Sequence, residues 1–444
     1  MSPLHPRTRL ALTLTLALAF GLGGAAVPAA ADWPNQFVHS NTASSLSGKV
    51  GGLVFDSGNE PIVAWQEVDA SNVPRPRWAR RLAGASWKGH RVVDYAGWSL
   101  LRGNVTLAIT SADTAYLGYW SGRPGSEAYG NKVVNLLRVN LPVDSVGSGV
   151  SVGYVAQDFA VPSPVADFAC GTTDATPLPL LAYSNACLGG FAIGYGSPLD
   201  GSGFLLRTDA GPGLDISSAS LAIAPDGTRH IVYNGFSCQP VGRYFRHHRG
   251  VTPGVWTTID NSFDGRSDLA IDPQGVLHVA GTRPNGELVY WKSTDNGATW
   301  TPLAVIASDA WGGAEPSISA GSTGELAIAY WSSDRRRLIV RRSFPTGWNP
   351  TTAATVGVPA VGEPKLAHDR LGNASVFYYD PGTKGFYYAS SPNFVDVPDA
   401  PPRIADRRRR SGSDARCRTR WRGVRSTSSS RCRRRRLRHW CWWT

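Results

Sequence analysis

The sequence predicts an all-β protein that folds as a single β-propeller of four-stranded antiparallel blades, with seven blades preferred and six as the alternative. Three observations carry this prediction. One pattern returns about every 48 residues, each copy contains hairpin signals, and the central part of the chain has no long helical pattern. Repeats of this length made of short strands are typical of propellers.

Four copies of the repeat begin at Leu221, Leu269, Ile318 and Leu366, with spacings of 48, 49 and 48 residues. Each copy opens with an apolar strand, a tight turn and a second β-rich strand. In the first of these copies the turn is Pro225-Asp226-Gly227, where glycine accepts the positive φ that hairpins require. Each copy therefore predicts a hairpin at the start of a blade.

Three more diverged copies precede these, beginning at Leu53, at Val105 and within residues 165–184. A cysteine-containing loop interrupts the hairpin of the third, and for this reason six blades remains the alternative. No fourth strand follows Ser391 in the last copy. We therefore predict that Gln36 to His39 supply its outer strand and close the ring.

The N-terminus reads as a secretory signal peptide over residues 1–31. A basic start is followed by the apolar stretch Leu10 to Leu22 and by small residues ending at Ala31. That stretch is shorter than the roughly 20 residues that a membrane span needs, and no later segment is comparable. We expect a propeller over residues 32–402, located outside the cell or on its surface, with no transmembrane segment.

The net charge of +12 does not indicate a nucleic-acid partner, because a C-terminal tail carries it. Residues 403–444 hold 16 arginines and two aspartates, and the signal peptide holds two arginines, which leaves about −4 for residues 32–402. The abrupt change in composition favours an out-of-frame C-terminus. A basic arm that binds an anionic surface and a plain disordered tail are the alternatives.

Three cysteines lie in the expected propeller, at Cys170, Cys187 and Cys238. In an oxidising compartment Cys170 and Cys187 are a candidate disulfide around the loop between them, which leaves Cys238 unpaired. No pair of cysteines has metal-ligand spacing, and no nucleotide-binding loop, serine-hydrolase elbow or zinc-protease motif occurs. We expect neither a metal site nor a cofactor.

One segment, Ser293-Thr294-Asp295-Asn296-Gly297-Ala298-Thr299-Trp300, matches the S-x-D-x-G-x-x-W pattern of the Asp box completely. It resembles the repeats of the BNR/Asp-box proteins, which include the bacterial sialidases. The resemblance implies a propeller in which Ser293, Asp295, Gly297 and Trp300 form a structural turn rather than a catalytic site.

Sialidases of this superfamily also carry a Tyr/Phe-Arg-Ile-Pro motif near the start of the propeller, and two further arginines. Residues 32–402 contain no such tetrapeptide. Because a guanidinium cluster is what binds the substrate carboxylate of these enzymes, we assign no catalytic residue from the resemblance.

Candidate ligand-binding residues follow from the face on which first strands start and second strands end, around the mouth of the central channel. Rings that stack on sugars and charges that orient a ligand suit a glycan or an extracellular protein. The alternative is that the rings pack between blades and the charges are merely solvated. The candidates are Arg102, Arg266, Asp268, Glu315, Glu363, Trp65, Trp120 and Trp331.

The sequence thus favours a secreted or surface-exposed propeller that recognises glycans or proteins through its channel-mouth face. The alternative is an exo-acting glycoside hydrolase of the sialidase type with non-standard catalytic residues. Whether the chain is an enzyme stays open at this point.

Overall fold

A computed structural model describes most of residues 33–391. The described ranges are 33–41, 48–68, 74–82, 86–91, 99–100, 105–122, 132–140, 145–146, 165–169, 178–183, 191–195, 205–209, 214–238, 241–250, 255–302, 305–344 and 347–391. These residues form strands and turns, and none of them is helical. Accordingly, the described residues include no helix that is long and apolar enough to cross a membrane.

The described strands form seven sheets, numbered here in chain order. The first three contain β2 to β5 (Lys49–Phe55, Pro61–Val68, Pro74–Leu82, Ser86–Arg91), β6 to β10 (Ser99–Leu100, Thr106–Ile109, Ala115–Gly122, Lys132–Asn140, Ser145–Val146), and β11 to β14 (Val165–Ala169, Leu178–Tyr183, Phe191–Tyr195, Leu205–Asp209). Sheets 4 and 5 contain β15 to β18 (Leu214–Ile223, Arg229–Cys238, Val241–Arg249, Val255–Thr258) and β19 to β22 (Arg266–Ile271, Leu277–Thr282, Leu288–Ser293, Thr301–Pro302). Sheets 6 and 7 contain β23 to β26 (Ser317–Ala320, Leu326–Trp331, Arg337–Phe344, Gly347–Thr355) and β27 to β29 (Lys365–His368, Ala374–Asp380, Gly385–Ser390) together with β1 (Asn35–Ser40).

The first long strands of the sheets line one central axis. Strands β2, β7, β11, β15, β19, β23 and β27 each contact the next in this order, and β27 contacts β2. All pairings within the sheets are antiparallel. Six sheets have four strands, each paired with the next, whereas sheet 2 has five described strands instead of the predicted four, because both β6 and β7 pair with β8. This arrangement is a β-propeller, and the fold class predicted from the sequence is confirmed.

The N-terminal strand completes the last sheet. Strand β1 pairs antiparallel with β29, from Asn35 opposite Ala389 to Ser40 opposite Gly385. The prediction that residues near Gln36 to His39 form this outer strand is therefore confirmed. Trp33, which precedes β1, is 3% exposed and packs into the core between sheets 6 and 7.

Adjacent inner strands are joined by side chains that accept backbone N–H hydrogen bonds from the next sheet. In three sheets the acceptor is the residue immediately before the repeat start, a place that we call the inner position. The three bonds run from Leu269 N to Ser220 Oγ (3.3 Å), from Ile318 N to Asp268 Oδ2 (2.9 Å), and from Leu366 N to Ser317 Oγ (3.0 Å). Because an inner strand has no ladder partner on its channel side, these bonds satisfy N–H groups that would otherwise be buried without a partner.

The hydrophobic core lies between neighbouring sheets. Trp65 is 0% exposed and packs with Phe377, Phe386 and Tyr388 across the boundary of sheets 1 and 7. Where sheets 1 and 2 meet, the inner strands approach so closely that a Cβ on Gly51 would lie 2.4 Å from the Val105 carbonyl oxygen. Only glycine fits such an approach of two backbones.

Candidate functional site

A cavity of about 280 Å³ opens at the channel mouth, where the inner strands begin. Its walls come from sheets 1, 2, 4, 5, 6 and 7, so residues far apart in the sequence converge there. The lining residues are Lys49, Val50, Gly51, Val105, Thr106, Ala219, Ser220, Arg266, Asp268, Glu315, Val361, Glu363 and Lys365. Four of the sequence-predicted residues, namely Arg266, Asp268, Glu315 and Glu363, are among them.

The repeat explains this convergence. Arg266, Glu315 and Glu363 each lie three residues before a repeat start, a place we call the outer position, and they are 49 and 48 residues apart. Asp268 and Lys365 occupy the inner position of their own repeats. The charged side chains of the cavity thus occupy the outer and inner positions of successive repeats, and the strands that carry them keep the same arrangement from sheet to sheet.

Two ion pairs cross the cavity from sheet to sheet. Arg266 Nη1 lies 3.1 Å from Glu363 Oε1, a contact that passes from sheet 5 to sheet 7. Lys365 Nζ lies 3.2 Å from Glu315 Oε1 and joins sheets 7 and 6. The first pair is the more open, with side chains 45% and 31% exposed, against 28% and 17% for the second.

Asp268 has a different role from the other two carboxylates. Its Oδ1 accepts hydrogen bonds from Ser220 Oγ (2.8 Å) and from its neighbour Leu269 N (2.9 Å), and its Oδ2 accepts one from Ile318 N (2.9 Å). Both oxygens are therefore engaged in holding sheets 4, 5 and 6 together. Asp268 contributes negative charge to the cavity, but its oxygens are occupied by the scaffold.

The surroundings of Glu315 change the acidity of its carboxyl group. Burial raises the pKa of its carboxyl to about 7, opposed by the Lys365 ammonium, while the carboxylates of Asp268 and Glu363 add to the rise and Arg266 opposes it. Near neutral pH this carboxyl therefore exists in both its protonated and its charged form. Such a group can both donate and accept a proton at physiological pH.

Sequence reasoning missed two cations of the cavity, Lys365 and Lys49. Lys365 could have been found, because it occupies the same repeat position as Asp268. Lys49 lies one residue before the outer position of the diverged copy that begins at Leu53, so the repeat pattern does not predict it as a lining residue. Its side chain is exposed, and no hydrogen-bond or ion-pair partner for it is found among the described residues.

Two of the tryptophans predicted for the channel mouth, Trp65 and Trp331, do not line the cavity. Trp65 packs in the core described above, and Trp331 is 2% exposed between sheets 6 and 7. Trp331 still supports the site, because its Nε1 donates a 2.9 Å hydrogen bond to the carbonyl of Gly362, between Val361 and Glu363. Trp65 and Trp331 therefore follow the alternative stated above, in which the rings pack between blades and do not face a ligand.

Other predicted residues lie outside what the structure describes. Arg102, Cys170 and Cys187 belong to ranges that are not described, and the side chain of Trp120 is not described either. The expected signal peptide and the arginine-rich tail also lie outside the described residues. Of the described residues, no group of three or more histidine, cysteine, aspartate or glutamate side chains is placed to hold a metal ion.

The Asp-box segment forms a turn after β21. Ser293 Oγ donates to Asp295 Oδ1 (2.7 Å) and accepts from Gly297 N (2.8 Å), while Asp295 accepts from Thr299 N (2.9 Å) and Thr299 Oγ1 (2.5 Å). These bonds lower the pKa of Asp295 to about 2. Trp300 packs against the core between sheets 4 and 5.

No protein-family model and no curated protein matches the chain. Solved structures do resemble it. An intramolecular trans-sialidase from Ruminococcus gnavus has 13% identity over 80% of this chain and 96% of its own, with a TM-score of 0.43. An α-L-arabinanase from Penicillium chrysogenum has 10% identity over 81% and 96%, with a TM-score of 0.48. A protein of unknown function from Dyadobacter fermentans has 10% identity over 80% and 97%, with a TM-score of 0.46. The propeller assignment is based on strand pairing and on the cycle of inner-strand contacts, and it does not depend on these similarities.

Proposed function

We propose that this chain is a secreted or surface-exposed propeller that binds a glycan in the channel-mouth cavity. The observation that carries the proposal is the alternation of donors and acceptors around one small polar cavity. Arg266 and Lys365 offer N–H donors, Glu315 and Glu363 offer acceptors, and Ser220 and Thr106 bring hydroxyl groups to the wall. A sugar hydroxyl both donates and accepts hydrogen bonds, so this alternation suits a polyhydroxylated ligand.

The size of the cavity favours one terminal sugar unit over a longer chain. Its volume of about 280 Å³ is near the lower end of small-molecule pockets, which span roughly 300–1,000 Å³. Recognition would rest on hydrogen bonds and charge rather than on stacking, since none of the described lining residues is aromatic.

A glycan array followed by titration calorimetry tests the proposal. We expect the mature protein to bind a glycan, and Arg266→Gln to weaken binding at least tenfold, because it removes a charged donor from the cavity. Arg243→Gln is the matched control. Arg243 is 52% exposed, pairs with Asp264 and is not a lining residue. Equal weakening by both variants, or binding to an extracellular protein but to no glycan, would contradict the proposal.

The sialidase-type alternative makes a separate prediction. It requires several guanidinium groups around the ligand, and Arg266 is the arginine that the described cavity wall contains. Turnover of a fluorogenic sialoside that is lost in Arg266→Ala and in Arg102→Ala would support that alternative. Glycan binding without sialoside turnover would exclude it.

A further inference from the structure

The geometry points to a glycoside-hydrolysing site in the channel-mouth cavity, in which Glu315 protonates the departing oxygen and Glu363 deprotonates the attacking water. This inference rests on the proposed binding of a glycan in the same cavity. The substrate class is a glycoside whose terminal sugar enters the cavity while the remainder of the molecule leaves as an alcohol.

The two carboxyl groups are placed to act on one ligand. Glu315 and Glu363 occupy the outer position of consecutive repeats, 48 residues apart, and both line the cavity. They therefore approach a ligand from neighbouring sheets, 6 and 7. Two carboxyl groups that flank a glycosidic bond are the requirement for its hydrolysis, one as acid and the other as base or nucleophile.

The side chains of Glu315 and Glu363 differ in how far they are exposed to solvent. The Glu315 side chain is 17% exposed and the Glu363 side chain is 31% exposed. Burial holds the pKa of Glu315 at about 7, so a large share of this group carries its proton at neutral pH. The less exposed Glu315 is therefore assigned the acid role, and the more exposed Glu363, which water can reach, is assigned the base role.

The cations of the cavity fix the two carboxyl groups in place. Lys365 contacts Glu315 Oε1 and leaves Oε2 without a described partner, so Oε2 is the oxygen that can carry the transferred proton. Arg266 contacts Glu363 Oε1, and the exposure of this pair gives water access to the carboxylate. Lys365 and Arg266 are thus positioning residues for Glu315 and Glu363, respectively.

The reaction balances without another reactant. The proton of Glu315 moves to the glycosidic oxygen as the bond from that oxygen to the anomeric carbon breaks. A water oxygen forms the new bond to the anomeric carbon, and its proton passes to Glu363. The products are the free sugar and an alcohol, and proton exchange with solvent restores both carboxyl groups. A single displacement of this kind inverts the anomeric configuration.

The test compares two leaving groups. The mature protein is first screened on 4-nitrophenyl α- and β-glycosides of the common pyranoses and furanoses, and the best sugar is then tested as its methyl glycoside. Glu315→Gln should slow hydrolysis of the methyl glycoside by about 10²–10⁴-fold, the usual contribution of a general acid. It should slow the 4-nitrophenyl glycoside by less than about tenfold, because 4-nitrophenolate departs without a proton. Arg243→Gln should leave both rates unchanged.

The pH profile tests the positioning role of Lys365. Wild-type kcat/KM should fall on the alkaline side as Glu315 loses its proton near pH 7. Lys365→Met removes the cation that opposes the rise in the pKa of Glu315, so this alkaline limb should move to higher pH. A role of Lys365 in folding alone would lower the rate and leave the position of the limb unchanged.

Each other outcome counts against the inference in a defined way. Equal loss on both leaving groups would exclude Glu315 as the proton donor, and NMR detection of a retained anomer would exclude Glu363 as the base. A glycan that binds while no glycoside of the panel is cleaved would refute hydrolysis and leave the binding proposal intact. Absence of both binding and cleavage would refute the two together.

Discussion

Stability towards acid should depend on a buried histidine pair in sheet 4. His230 and His247 are 0% and 1% exposed, and His230 Nδ1 lies 2.9 Å from His247 Nε2. Their tautomers follow from the bonds around them. Thr257 donates its hydroxyl proton to the Gly297 carbonyl (2.7 Å), so it accepts from His247 Nδ1 (3.2 Å). His247 Nε2 then carries no proton and accepts from His230 Nδ1.

Both rings are therefore neutral in the folded protein. Burial lowers the pKa of His230 to about 4, and burial together with His230 lowers that of His247 to about 3. In the unfolded chain each histidine titrates near 6.5. The unfolded state therefore takes up more protons than the folded state as the pH falls below 6.5, and stability decreases.

The magnitude follows from linkage. Between pH 7 and pH 5 each histidine should lower the free energy of unfolding by about 2 kcal/mol, and the two together by about 4 kcal/mol. His230→Asn keeps an amide donor near the position of Nδ1 but cannot be protonated. The variant should therefore lose about 2 kcal/mol less than wild type over this interval.

Urea unfolding of the protein at pH 7 and pH 5 measures this difference. Val255→Asn, at a half-exposed site on the same sheet, is the control and should show the wild-type pH dependence. If His230→Asn and wild type lose the same free energy between the two pH values, the buried neutral pair is not a source of acid sensitivity, and the reasoning is refuted.

Two further substitutions test how neighbouring sheets are joined. Gly297→Ala should cost more than about 2 kcal/mol in thermal or urea unfolding, because Gly297 has φ of +80° and its Cβ would lie 2.0 Å from the His247 ring. Gly275→Ala, with the same φ of +80° and nothing within 4 Å of the new Cβ, should cost only about 1 kcal/mol, and equal losses would contradict the docking of the Asp-box turn on sheet 4. Ser317→Ala leaves the buried Leu366 N–H without its acceptor and should cost about 1–3 kcal/mol, whereas a loss below about 0.5 kcal/mol would show that water replaces the hydroxyl.

The repeat pattern was sufficient to predict the fold class, because blade hairpins depend on local turn chemistry and on alternation. The turn around Gly227, for example, has the positive φ of +83° that its sequence predicted. Closure by β1 was predictable for a different reason. The last copy supplied three strands of a four-stranded blade, so the fourth strand was expected from the other end of the chain.

The residues of the site could be predicted only where the position of a residue in the repeat determines the direction of its side chain. Arg266, Glu315 and Glu363 were identified because each lies at the start of a first strand, on the face of the repeat that borders the channel mouth. Trp65 and Trp331 lie near or at the ends of second strands on the same face, but a large apolar ring gains more from burial between sheets than from exposure at the mouth. The position of a tryptophan in its strand does not show whether the ring is buried between sheets or exposed at the channel mouth, because the energy gained by burial depends on the neighbouring sheet.

This difference between the two positions suggests how a propeller of this kind changes its ligand while its stability is preserved. At the inner position Ser220, Asp268 and Ser317 accept an N–H from the next sheet, so an exchange there for an apolar residue leaves a buried donor unpaired. At the outer position Arg266 and Glu363 pair with each other at a partly exposed site, and exposed pairs contribute little to stability. Exchange of Arg266 and Glu363 should therefore alter the ligand at small cost in folding, whereas exchange of Ser220, Asp268 or Ser317 should weaken the ring.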